Sequence, residues 1–199
     1  YASLKLAVAA LGTSPGAVMI DRDITIATGD EVVIQNSFQG LYFTRPGIVV
    51  TYSGSTGTAV KYTSKQGTFL LGYPRIVGTT NAPLVHLYAV YEGTFYIGYL
   101  YNESTGAAAE NILLEGDPTN SIPLGENFVE VKFMGSHGTP AGAVTGKSGM
   151  RIVGAVGALN ARPAFNIIKG ENWNNAEVGL DVLYAHGNII DVTGIEGCP

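Results

Sequence analysis

The chain has 199 residues, of which 46% are hydrophobic, 14% are charged and 27 are glycine, and its formal net charge is −5. This length supports one large β domain or two small ones with a sizeable core, and the hydrophobic content excludes intrinsic disorder, which needs low hydrophobicity and high net charge. With only 11 Lys plus Arg and no basic cluster, the chain carries no electrostatic footprint for nucleic acid or an anionic membrane, and no apolar run approaches the ~20 residues of a membrane-crossing helix.

In chain order, period-2 patterns and β-branched residues predict strands over residues 3–11, 23–27, 31–36, 41–44, 48–52, 59–63 and 69–73. The same signals continue over 84–91, 94–101, 111–114, 128–134, 150–156, 164–169, 178–184 and 188–192. No amphipathic helix of ten residues is expected; the nearest candidate, 105–114, has Ala107, Ala108 and Ala109 and room for a turn or two. Strands 84–91 and 94–101 flank Glu92-Gly93, a two-residue loop that suits the primed turns of a hairpin. His186-Gly187 marks a second hairpin of this kind. Loops around 54–58, 115–126 and 136–149 are the candidate boundaries, but nothing requires two domains. The expected fold is all-β: a single β-sandwich, jelly-roll-like or Greek-key, with an N-terminal extension strand. Residues 1–11 would be that strand, 12–16 a hinge and 17–199 the sandwich.

Motifs that carry chemistry are weak. Residues 141–148, ending in Gly146-Lys147-Ser148, fit a loose phosphate-loop pattern with Ala141 for the first glycine. A working phosphate loop continues into a helix, whereas Gly149, Gly154 and Gly157 and their β-branched neighbours predict a strand. His86, His137 and His186 lack zinc-ligand spacing, and no Gly-x-Ser-x-Gly elbow is present. Asp21 with Asp23, and Asp30 with Glu31, lack the alternating ligands of a calcium loop. The expectation is therefore no enzyme, no catalytic residue, no metal and no cofactor. Asn102-Glu103-Ser104 is a glycosylation sequon, expected to open an exposed loop. Eleven tyrosines, five of them between Tyr88 and Tyr101, suit strand packing and equally a sugar-stacking platform. Cys198 is the only cysteine, so no disulfide framework exists within the chain.

A face built from Thr, Ser, Asn, Gly and Tyr is cheap to desolvate, which favours self-association into a homopolymer; a glycan coat would give the same relief. The opening on Tyr1 rather than Met is what signal-peptide removal leaves, and it is also what a chain cut here for another reason shows. In an extended reading Leu4, Leu6, Val8 and Ala10 share one face, followed by a hinge at Gly12, Pro15 and Gly16. Such a strand would pair either in its own sheet or, by donor-strand complementation, in a neighbour's. This layout resembles the subunits of strand-exchanged extracellular filaments of the archaeal bundling-pilus and thread type. The resemblance covers the N-terminal tenth of the chain and implies a secreted, cell-surface structural subunit with a glycan coat, binding identical subunits, with no membrane insertion. The alternative is a secreted carbohydrate-binding β-sandwich of the lectin kind.

Overall fold

The computed structural model describes residues 3–63, 65–104, 109–136, 148–154, 159–174 and 178–196. Every strand predicted from the sequence, except the first, coincides with an observed strand, and Gly16–Ile20 and Arg75–Gly78 are added. The connectivity overturns the sandwich. Among the described residues every pairing between strands is parallel, and each strand bonds to one a full turn away in sequence, not to its neighbour. The chain winds as a coil of stacked turns, a parallel β-helix, in which each turn cannot bury its apolar side without the next.

The first turn comprises β1 (Gly16–Ile20), β2 (Ile24–Ile26) and β3 (Val32–Ile34). The second comprises β4 (Gln39–Phe43), β5 (Val49–Tyr52) and β6 (Val60–Thr63). The third comprises β7 (Phe69–Leu71), β8 (Arg75–Gly78) and β9 (Val85–Tyr88). From the fourth turn the first two faces merge into one bent strand: β10 (Thr94–Asn102) pairs with β7 through Thr94 and Phe95, then with β8 from Tyr99 to Asn102. The remaining turns add β11 (Ile112–Glu115), β12 (Phe128–Ser136), β13 (Ser148–Val153), β14 (Ile167–Asn174), β15 (Val178–Leu183) and β16 (Ile189–Glu196).

Inward residues stack in register from turn to turn. Leu41, Leu70, Phe95, Val129 and Ile168 form one buried column, and Val50, Ile76, Leu100, Met134 and Trp173 another. Val32, Val60, Val85, Ile112 and Met150 line the third side. Period 2 makes this register strict, since a one-residue slip would expose every column. Gly170 stands where a side chain would collide with Trp173, its added Cβ lying 2.4 Å from the indole ring. The Trp173 Nε1 donates to the Val131 carbonyl at 2.9 Å.

The two expected hairpins are corners. A left-handed residue recurs where each turn enters the first face: Phe38, Gly67, Glu92, Glu126, Phe165 and Gly187. This backbone bends the chain from one sheet to another, so the strands before and after it never pair with each other. The next residue points inward, and in the last turns it is asparagine. Asn127 Oδ1 accepts from the Gly93 N–H at 2.7 Å while its Nδ2 donates to the Val90 carbonyl at 2.9 Å. Asn166 repeats the pattern with Asn127 N–H and the Leu124 carbonyl, and Asn188 with Asn166 N–H and the Pro163 carbonyl. The amides also bond to one another, Asn127 to Asn166 at 2.8 Å and Asn166 to Asn188 at 2.7 Å. This ladder satisfies the corner backbone groups that burial would otherwise leave unpaired.

The N-terminal strand is also corrected. Leu4–Ala9 is a helix, α1, capped by the Ser3 hydroxyl accepting from the Leu6 N–H at 3.3 Å. Ala and Leu favour helix, and spacing at Leu4, Ala7 and Val8 fits a helical face as well as Leu4, Leu6, Val8 and Ala10 fit a strand. Ala7 and Val8 are buried against the first turn of the coil, Leu4 packs beside them, and Leu6 and Ala10 face solvent. The expected hinge is fastened. The Gly12 carbonyl accepts from Asn36 Nδ2 (2.8 Å) and Gln39 Nε2 (2.9 Å), Pro15 follows the Ser14 carbonyl that Gln39 also holds, and Gly16 opens β1. A strand free to cross to another subunit is absent from this segment.

Candidate functional site: an aromatic groove on the bend

Where β10, β12 and β14 turn from the first face to the second, the register skips one residue: Gly98, Lys132 and Glu171. These three lie in a column along the coil, continuing the earlier corners at Gly47 and Tyr73. A groove of about 500 Å³ runs over the bend, lined by Pro46, Gly47, Tyr73, Arg75, Gly98, Tyr99, Lys132 and Phe133. Gly98 is its floor. A Cβ there would stand 2.7 Å from the Tyr73 carbonyl, and any larger side chain would fill the groove.

One wall is Tyr73, from which a line of aromatic contacts continues over two more turns beyond the groove's lining. Tyr73 lies 5.4 Å from Tyr96 at 31°, and Tyr96 meets Phe128 edge-on at 5.6 Å. The other wall is the in-register row Arg75, Tyr99 and Phe133, with Tyr101 stacked behind Tyr99 at 5.9 Å and 24°. Phe133 stands at an outward position of the register and is 44% exposed, which leaves a large apolar ring in water. Cations sit over the rings: Arg75 over Tyr99 and Lys132 over Tyr73, each 5.1 Å from the centroid. Lys132 also pairs with Glu171 at 3.1 Å, and the Tyr73 hydroxyl donates to Glu130 Oε1 at 3.2 Å. Burial, and then the Glu130 charge and hydrogen bond, push the Tyr73 phenol above its usual range, so it stays a neutral donor. The groove thus offers flat apolar faces flanked by hydrogen-bonding groups, an arrangement suited to the two-sided surface of a sugar ring.

The other residues singled out in the sequence fall elsewhere. Asn102 is fully buried, not exposed: its Nδ2 donates to the carbonyls of Thr80, Ala82 and Glu110, and its Oδ1 accepts from the N–H groups of Thr80 and Ser104. An amide held this way is out of reach of a glycosyl donor in the folded chain, because the end of β10 turns it into the core. His86 pairs with Glu115 at 3.1 Å on the outer face of the third side. His186 lies at a corner against Phe165. Asp21 pairs with Arg22, Asp23 accepts from the Val49 N–H, and Glu31 accepts from the Tyr52 hydroxyl at 2.8 Å. Among the described residues no three metal-ligating side chains converge. Residues 141–147, His137 and Cys198 lie outside the described residues, while Ser148 opens strand β13.

Tyr96, Tyr99 and Tyr101 belonged to the tyrosine cluster read from the sequence, but Tyr73, Arg75, Lys132 and Phe133 did not. The missing signal was their spacing of one coil turn, visible only once the register is known. Comparison with family models, with curated proteins and with solved structures yields no match.

Proposed function

We propose that this chain is an extracellular glycan-binding β-helix whose bend groove holds an extended saccharide across the turns. The observation that carries the reading is the in-register row of half-buried Tyr99 and exposed Phe133 facing Tyr73 across a glycine floor. Stacked repeats form extended concave surfaces along the coil axis, which suit a long repeating ligand. In this reading the groove binds without cleaving, and its flanking carboxylates Glu130 and Glu171 hold Tyr73 and Lys132 in place. A glycan array followed by calorimetry tests this. An oligosaccharide should bind, release no reducing ends on incubation, and bind about fivefold more weakly to Tyr99→Ala, as expected for ~1 kcal/mol of stacking. Absence of any glycan ligand, or unchanged affinity in both Tyr99→Ala and Phe133→Ala, would overturn it.

A second reading keeps the assembly subunit expected from the sequence, without strand exchange. It is favoured by an outward apolar strip: Ile167 and Ile189, 37% and 61% exposed, in register beside Phe165, 62% exposed. Such a strip fits lateral packing of a second copy. Sedimentation across a concentration series should show self-association that Ile189→Asp abolishes; a monomer at every concentration rejects this reading.

A further inference from the structure

A second cavity, of about 280 Å³, opens at the corner between the third side and the first face, one face-width from the groove. Its size sits at the lower end for small-molecule sites, enough for a single ring rather than a chain. Arg162 lines it, and the Arg162 Nε is buried with no hydrogen-bond partner. No carboxylate among the described residues lies within ion-pair distance of this guanidinium, in a chain with 16 acidic and 11 basic residues. A guanidinium that lines a cavity with no carboxylate beside it leaves N–H donors for an acceptor that enters the cavity.

The rest of the cavity narrows the acceptor. Glu126 Oε1 accepts from the Tyr91 hydroxyl at 2.7 Å, leaving the second carboxylate oxygen to accept from a ligand hydroxyl. Asn160 adds an amide that both donates and accepts, and Phe165, edge-on to His186 at 5.7 Å, supplies an aromatic wall. A simple anion would use the arginine and be repelled by Glu126. A neutral sugar would use Glu126 and leave the guanidinium fork unpaired. We infer that this cavity is a site for a carboxylate-bearing sugar of the hexuronate class, with the carboxylate on Arg162, ring hydroxyls on Glu126 and Asn160, and the ring against Phe165. Planar guanidinium–carboxylate pairing supplies the orientation. The inference stands independently of the bend groove.

Titration of the full chain with glucuronate, glucose, acetate and inorganic phosphate, followed by calorimetry or NMR, tests it. Glucuronate should bind at least about tenfold more tightly than each of the others, and Arg162→Gln should weaken it by about tenfold or more. Phe165→Ala, at a side chain 62% exposed and so outside the core, should weaken it severalfold and serves if Arg162→Gln fails to fold. Tyr99→Ala in the bend groove should leave glucuronate binding unchanged. Equal binding of glucose or phosphate, no binding of glucuronate, or undiminished binding in the folded variants would overturn the assignment.

Discussion

Asn166→Ala removes the middle rung of the asparagine ladder, and the structure sets its cost. Asn166 is fully buried, and its Oδ1 is the partner of the Asn127 N–H at 3.2 Å. Without it that N–H is orphaned in the core, at about 1–3 kcal/mol. Three other groups lose a bond but keep another. Asn127 Nδ2 retains the Val90 carbonyl, Asn188 Oδ1 retains the Asn166 N–H, and the Leu124 carbonyl retains the Ala164 N–H. The two shorter of the lost bonds add about 0.5–1.5 kcal/mol each. The expected destabilisation is therefore about 4 kcal/mol, or a fall in Tm of roughly 8–16 °C for a chain of this size. Urea and thermal unfolding followed by circular dichroism measure it, with the exposed Asn160→Ala as a control expected within about 0.5 kcal/mol. A loss below about 1 kcal/mol for Asn166→Ala, with the control unchanged, would refute the view that the ladder holds the corners.

The N-terminal helix separates two further substitutions. Val8→Ala should cost about 1–2 kcal/mol because Val8 is buried against the first turn, whereas Leu6→Asp, at a position 53% exposed, should change the urea midpoint by less than about 0.5 kcal/mol. Gly170→Ala should cost about 1–3 kcal/mol by overpacking the Trp173 ring, and should alter the near-ultraviolet dichroism of the chain's one tryptophan. Asp117 has its carboxyl held below the ordinary value of 3.8, first by the Asn120 side chain, while partial burial opposes this. A lowered folded-state value stabilises above 3.8, and this contribution should fade as pH falls through the lower folded value. Urea midpoints between pH 5 and pH 2 should therefore fall less steeply in Asp117→Asn, within the span where carboxylates titrate.

Strand positions were legible because alternation and β-branching report local burial, and a β-helix strand is as alternating as a sandwich strand. The winding was not legible. A coil declares itself by a repeat, but insertions between turns vary its period here, from 22 residues between Asn166 and Asn188 to 39 between Asn127 and Asn166. The corner residues, moreover, are the ones that make hairpins. Glu92-Gly93 and His186-Gly187 each place one residue in the left-handed region, and a two-residue window cannot say whether the next strand returns or moves to another sheet. The helix at Leu4–Ala9 was missed for a different reason: a segment of Leu, Val and Ala satisfies both periods, and only its docking on the first turn decides. Asn102 fails as an exposed sequon because polar residues in this fold turn inward to stitch turns together. The same habit that hid Asn102 builds the ladder of Asn127, Asn166 and Asn188.

Register links the inside of the coil to its outside. Because Leu100, Met134 and Trp173 must stack inward, the residues beside them must stack outward, one turn apart, at the strand spacing of about 4.8 Å. Tyr99 and Phe133 are thus placed by the burial of their neighbours, not by contacts of their own, and Arg75 joins the same row through Ile76. An outward row costs the core little to change, while its geometry is inherited from the core with little freedom. Recognition chemistry can therefore vary turn by turn without retuning the fold. This is why the aromatic groove and the Arg162 cavity can sit on adjoining edges of one face and still answer to different substitutions.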